Sequence, residues 1–204
     1  MHKDLNNYSF DFVYIGRISY QKNPQRVAKV ASSILKNCPS VYFGVIGDGE
    51  LRNEMEVVFQ EEGVADRVVF TGVLAYPYKA LKQAKCMLMC SRYEGTPIAA
   101  LEAMALGVPI VSTPVDGLKE IISDGLNGYI SDDDARLCNC VVELLVNSHI
   151  QKRCSFNAIE MAKSINNIKK YKDSLINIYN DALQDCKKSR FSEIIGSGYW
   201  RKKQ

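Results

Sequence analysis

The feature that most constrains this chain is an alternation of short apolar runs with longer amphipathic segments across its first 130 residues. Residues 10–15, 41–46, 67–71, 86–90, 108–112 and 129–130 read as strands. Residues 23–36, 49–62, 77–84, 97–106 and 118–123 read as the helices between them. Asn23 is the expected N-cap of the first helix, with Pro24 at its first position, and Gly107 is expected to close the helix before it. The run 86–90 is apolar without a break, as in a strand covered on both faces. Repeated strand–helix units predict a doubly wound parallel α/β sheet of about six strands. Three consecutive helical segments, 134–147, 151–164 and 166–186, then end the alternation. One domain over residues 1–187 is expected, followed by a mobile basic tail, 188–204.

Charge and length exclude several classes. Lys and Arg number 26 against 23 Asp and Glu, a net charge of +3, too balanced for a nucleic-acid footprint. Six of the cations lie in residues 187–204, beside a single acid, so the body is slightly acidic. The tail also carries Tyr199 and Trp200 next to Arg201, Lys202 and Lys203. Two readings of it stand open, a solubilising tail or a contact with an anionic membrane. The uncharged stretch 103–115 is interrupted by Pro109 and Pro114 and is shorter than the ~20 residues of a spanning helix. No basic run followed by an apolar core opens the chain, so no signal peptide is read. A cytoplasmic chain is expected, with peripheral membrane contact at the inner face left open. The seven Cys show no metal-ligand spacing and read as reduced structural thiols. Residues 165–183 carry an apolar stripe at helical spacing, suited to packing on this domain or on another one.

In a doubly wound sheet, ligands bind beyond the carboxyl ends of the strands. The loop after the first strand holds Gly16, Arg17 and Lys22 just before a helix start, a setting that suits a diphosphate. The loop 46–50 contains Gly47-Asp48-Gly49 but has Arg52 where a dinucleotide fingerprint needs its third glycine. The loop after the fourth strand reads Glu94-Gly95-Thr96-Pro97-Ile98, with Thr96 able to cap and Pro97 able to begin a helix. Small residues there let a ligand approach backbone N–H groups. Glu102 is the only charge on that helix and is costly to bury alone. The residues leave two readings open: a partner for ligand hydroxyls, or one half of a structural ion pair. Asp132-Asp133-Asp134 resembles a metal-binding run, but its place at a helix start favours capping.

At Glu94–Glu102 the sequence E-G-T-P-I-A-A-L-E, with seven residues between the two carboxylates, resembles the signature of retaining group 1, glycogen-synthase-like glycosyltransferases. G-R-I-S-Y-Q-K-N-P, I-G-D-G-E-L, V-V-F-T-G and V-D-G-L-K-E-I-I-S-D-G-L-N-G-Y follow the same family's order. The resemblance implies a Rossmann-like domain, one half of a GT-B fold: the C-terminal domain that binds the nucleotide sugar. It implies that Arg17 and Lys22 meet the donor diphosphate, that Glu102 meets the ribose and that Glu94 holds the sugar hydroxyls. Glu94, Arg17 and Lys22 would be the catalytic set. Gly16 and the backbone of Gly95, Thr96, Pro97 and Ile98 would line sugar and phosphate, and Gly72, Val73 and Leu74 would border the base. The implied donor is a UDP-sugar, the acceptor a glycan or lipid-linked glycan, and no metal or other cofactor is needed. An N-terminal acceptor domain would be the partner, and without it turnover is not expected. The alternatives are a GT-B epimerase half and a non-catalytic nucleotide-binding or interaction module.

Overall fold

The computed structural model describes residues 10–196. Six strands, β1 (Phe12–Ile15), β2 (Phe43–Ile46), β3 (Val68–Gly72), β4 (Cys86–Met89), β5 (Ile110–Ser112) and β6 (Gly128–Ile130), form one parallel sheet. Its order is β3-β2-β1-β4-β5-β6, so the chain reverses direction across the sheet between β1 and β4. The helices are α1 (Pro24–Asn37), α2 (Arg52–Glu61), α3 (Tyr78–Gln83), α4 (Ile98–Ala105), α5 (Asp116–Lys119), α6 (Asp134–Val146), α7 (Ser148–Ile165) and α8 (Ile168–Gly196). The doubly wound Rossmann-like expectation holds, and the strands are shorter at their ends than the apolar runs.

Both faces of the sheet are covered. Phe12 and Tyr14 of β1 and Leu88 of β4 point into one core with α1, α2 and α6. Val13 of β1 and Met87 and Met89 of β4 point into the other, with α3, α4 and α7. All four residues of β4 are buried, as the unbroken run predicts. The first core holds a ladder of aromatic rings, Phe12 on Phe43 at 4.6 Å and Phe43 to Phe59 at 6.0 Å. Each such ring, fully enclosed, contributes about 1.5–3 kcal/mol. Six cysteines among the described residues are unpaired, five of them buried, and Cys90 has its thiol pushed up to about 12 by burial.

The described residues divide into two units, one ending at Lys163 and one beginning at Ser164. In the second, α8 continues past Lys187 as far as Gly196. Along it Tyr171, Ile176, Ile178, Tyr179 and Leu183 are exposed. Expectations for Tyr199, Trp200, Arg201, Lys202 and Lys203 lie outside the described residues. Among those described, no helix is long and apolar enough to cross a membrane.

The turn after β2 packs backbone to backbone on the turn after β1. A Cβ on Gly47, whose φ is +134°, would lie 2.0 Å from the Gly16 carbonyl oxygen. Gly47→Ala is therefore expected to cost about 2 kcal/mol or more in urea unfolding. Gly63→Ala, at φ +69° with nothing within 4 Å, is expected to lose less.

Candidate functional site

Four turns meet at the carboxyl edge of the sheet where β1 and β4 lie side by side. After β1 the chain makes a 3-10 turn, Tyr20–Lys22, and reverses at Asn23 with φ +52°. This turn is sewn to the segment after β4. The Arg92 N–H donates to the Gln21 carbonyl at 2.8 Å, and Gln21 Nε2 donates to the Tyr93 carbonyl at 3.1 Å. The Arg92 guanidinium stacks over the Tyr20 ring at 4.4 Å and donates to Asn23 Oδ1 at 3.0 Å. Asn23 holds the expected N-cap position of α1, but its side chain makes no cap bond: with the backbone left-handed there, its oxygen goes to Arg92 instead. Pro24 does begin that helix.

These contacts bring Lys22 and Glu94 together. Lys22 Nζ lies 2.5 Å from Glu94 Oε1, and both side chains are largely enclosed, at 16% and 5% exposure. Ser91 Oγ donates to the same oxygen at 2.6 Å, while Gln21 Nε2 reaches Oε2 only at 3.5 Å. Ser91 is itself fixed from β5, whose following residue Thr113 donates to the Ser91 carbonyl at 2.9 Å. On the other side, α5 presses on the segment: a Cβ on Gly117 would lie 1.9 Å from the Gly95 oxygen. Tyr14 lies behind. Burial first, and the Glu94 charge second, hold its phenol far above the usual tyrosine range, and it donates to the Arg17 carbonyl at 2.7 Å.

Beyond Glu94 the chain enters α4. Pro97 occupies the N-cap position and Ile98 the first helical one, one residue later than Thr96 and Pro97 predict. The ring supplies no side-chain acceptor, and no side-chain cap bond forms. Among the described residues, the N–H groups of Gly95 and Thr96 donate to no other group, and both residues are exposed. They stand at the positive end of the helix dipole, where an anion is favoured. Glu102 follows one turn along α4, half-buried. Its partner is no cation: the Tyr78 hydroxyl donates to Oε1 at 3.0 Å. This removes the ion-pair reading of Glu102 among the described residues.

A cleft of about 410 Å³ opens beside these groups, lined by Gly16, Arg17, Ile46, Gly47, Val73, Leu74 and Pro77, among others. Val73 is 80% exposed. Gly72, just before it, takes the Gly47 N–H on its carbonyl at 2.9 Å. Gly16 borders both halves of the site, because a Cβ there would touch Lys22 Cε at 3.5 Å. Arg17 is turned to Glu50 at 3.3 Å, with both side chains exposed. Such a surface pair is worth at most about 1 kcal/mol and leaves Arg17 free to swing.

The run at 132–134 is structural. Asp133 Oδ1 accepts the Arg136 N–H at 2.9 Å as the cap of α6, while Asp132 and Asp134 hold Arg26 at 2.9 and 2.7 Å. Among the described residues no group of three or more His, Cys, Asp or Glu could hold a metal. Sequence reasoning missed Ser91, Gln21 and Tyr78. Ser91 was legible as a small polar residue ending a buried strand, but nothing local marks Tyr78 as a neighbour of Glu102, 24 residues away.

A doubly wound parallel sheet with a cleft beyond the carboxyl ends of its central strands is the architecture in which α/β proteins bind ligands at the reversal point of the strand order. The family model for group 1 glycosyl transferases matches residues 2–161, and the chain belongs to that family. The Vi polysaccharide biosynthesis protein VipC/TviE of Salmonella typhi is 35% identical over 112 residues, 55% of this chain and 19% of that protein. A mutant of S. aureus TarM in complex with fondaparinux, alpha-GlcNAc-glycerol and UDP is 21% identical, with a TM-score of 0.78, over 86% of this chain and 36% of that one. The C-terminal domain of a group 1 family protein from Francisella tularensis is 23% identical, with a TM-score of 0.70, over 79% of this chain and 87% of that one. The chain spans 19 to 47% of the length of the curated relatives compared.

Removing one member of an enclosed ion pair strands the other charge. Lys22→Met is expected to cost about 3 kcal/mol, and adding Glu94→Gln to return at least about 1 kcal/mol of it. Urea unfolding of the single and double variants measures this, and strictly additive losses would contradict a coupled pair.

Proposed function

We propose that this chain is the C-terminal, donor-binding half of a retaining GT-B glycosyltransferase and that it holds a UDP-sugar for transfer to a glycan or lipid-linked acceptor. One observation carries the reading. Two carboxylates, Glu94 and Glu102, flank the open N-terminus of α4, and Lys22 reaches that mouth from the neighbouring loop. A diphosphate placed there receives the N–H groups of Gly95 and Thr96, the helix dipole, Lys22 and, after a swing away from Glu50, Arg17. A ribose beyond it offers its diol to Glu102. The base enters the cleft beside Gly72, Val73 and Leu74, with Gly16 as the shared wall. On the other side, Glu94 Oε2 meets sugar hydroxyls, with the backbone from Gly95 through Pro97 to Ile98 along sugar and phosphate. The UDP present with TarM and the match to a C-terminal domain from Francisella support this reading.

The chemistry then follows from charge. As the glycosidic bond to the diphosphate breaks, negative charge grows on the leaving oxygen. Fixed cations and dipoles aimed at that point lower the barrier without needing to reorganise. Glu94 positions the sugar; it is not cast as a nucleophile. Lys22 and Arg17 neutralise the diphosphate, the task a divalent cation performs elsewhere. The acceptor attacks from the leaving-group face, and an N-terminal domain supplies its site and closes the crevice. In the cell the domain works in the cytoplasm, and its basic C-terminus gives it a means of contact with an anionic membrane face.

Calorimetric titration with UDP tests this. Saturable binding is expected, with Arg17→Ala and Glu102→Ala each weakening it about tenfold, the loss of one charge-assisted contact. A chelator should leave the affinity unchanged. No heat at millimolar UDP, or full affinity in both variants, would falsify donor binding.

A further inference from the structure

The contact between Tyr78 and Glu102 has no evident structural purpose. It joins two exposed or half-exposed side chains of α3 and α4, and it adds nothing to the apolar contacts that already seat α3 through Ala80 and Leu81. Its geometry is that of a ligand contact. A neutral hydroxyl donates to one oxygen of a carboxylate, as a ribose hydroxyl would. Tyr78 directly follows Pro77, which lines the cleft together with Gly16, Arg17, Val73 and Leu74. The hydrogen bond to Glu102, and then the Glu102 charge, raise the Tyr78 pKa above the ordinary tyrosine value. Tyr78 is 44% exposed, and α3 is six residues long, so the side chain can rotate into solvent without opening the core.

We propose that Tyr78 is a specificity residue of the nucleotide site: its hydroxyl occupies the place on Glu102 Oε1 that a ribose hydroxyl takes, and a ribonucleotide binds by displacing it. This rests on the donor-binding reading above. A carboxylate has two oxygens and a ribose diol two donors, so a phenol on Oε1 blocks half of the contact. A ligand lacking the diol gains nothing by displacing the tyrosine. Tyr78 thus sets a threshold that only a ligand with ribose hydroxyls repays.

The test uses the full chain, UDP and 2′,3′-dideoxyuridine 5′-diphosphate, with wild type, Tyr78→Phe and Glu102→Gln compared by calorimetry. Tyr78→Phe removes the competing donor and keeps the ring. It is expected to bind UDP about fivefold tighter than wild type, the worth of one exposed hydrogen bond. The dideoxy analogue should bind wild type and Tyr78→Phe equally. Glu102→Gln should bind both ligands alike. Weaker or unchanged UDP binding by Tyr78→Phe would overturn the proposal, and a weaker one would make Tyr78 a holder of Glu102 instead. Equal tightening for both ligands would also overturn it, since the effect would then owe nothing to ribose. The donor-binding reading fails separately, if wild type ignores UDP altogether, and the proposal falls with it.

Discussion

The site depends on one ion pair, Lys22 to Glu94, made across the line where the sheet reverses. A carboxylate with only 5% of its side chain exposed is costly to bury without partners. Lys22 and Ser91 are those partners, both on Oε1. The strand order makes this possible, because β1 and β4 are neighbours although Lys22 and Glu94 are 72 residues apart in the chain. The same pair orients the rest. With Oε1 taken by Lys22 and Ser91 and Oε2 touched by Gln21 at 3.5 Å, the carboxylate is held in a fixed direction. Lys22 meanwhile stands at the mouth of α4 rather than in solvent.

The two acidic residues of the signature are therefore different kinds of group. Glu94 is enclosed and held by three side chains; Glu102 is half-buried and held by a single phenol. A fixed carboxylate suits the positioning of a reacting sugar, where small displacements are costly. A lightly held one suits nucleoside binding, where affinity has to be tunable and release is part of the cycle. Arg17 belongs with the second kind, since its surface pair with Glu50 costs little to exchange for a phosphate.

Much of this was legible in the residues, and the exceptions share a cause. The buried run of β4, the start of α1 at Pro24 and the cap at Asp133 follow from local chemistry, and local chemistry decided them. Asn23 holds its expected N-cap position without a side-chain cap bond, because Arg92, 69 residues away, claims its oxygen. Arg26 as the partner of Asp132 and Asp134, and Tyr78 as the partner of Glu102, are likewise long-range contacts that no periodicity announces. The helix α8 runs through Lys187 because the sequence beyond it still favours a helix, although its apolar pattern weakens. For the candidate site, the carboxylate spacing singled out the loop before α4, but the joining of Lys22 to Glu94 needed the fold.

The most direct measurement is a crystal structure of this chain with UDP bound. The account predicts the β-phosphate within hydrogen-bond distance of the Gly95 and Thr96 N–H groups, Lys22 shared between phosphate and Glu94, and the ribose on Glu102. A nucleotide seated elsewhere, with the mouth of α4 holding only solvent and Glu102 far from any sugar hydroxyl, would contradict it.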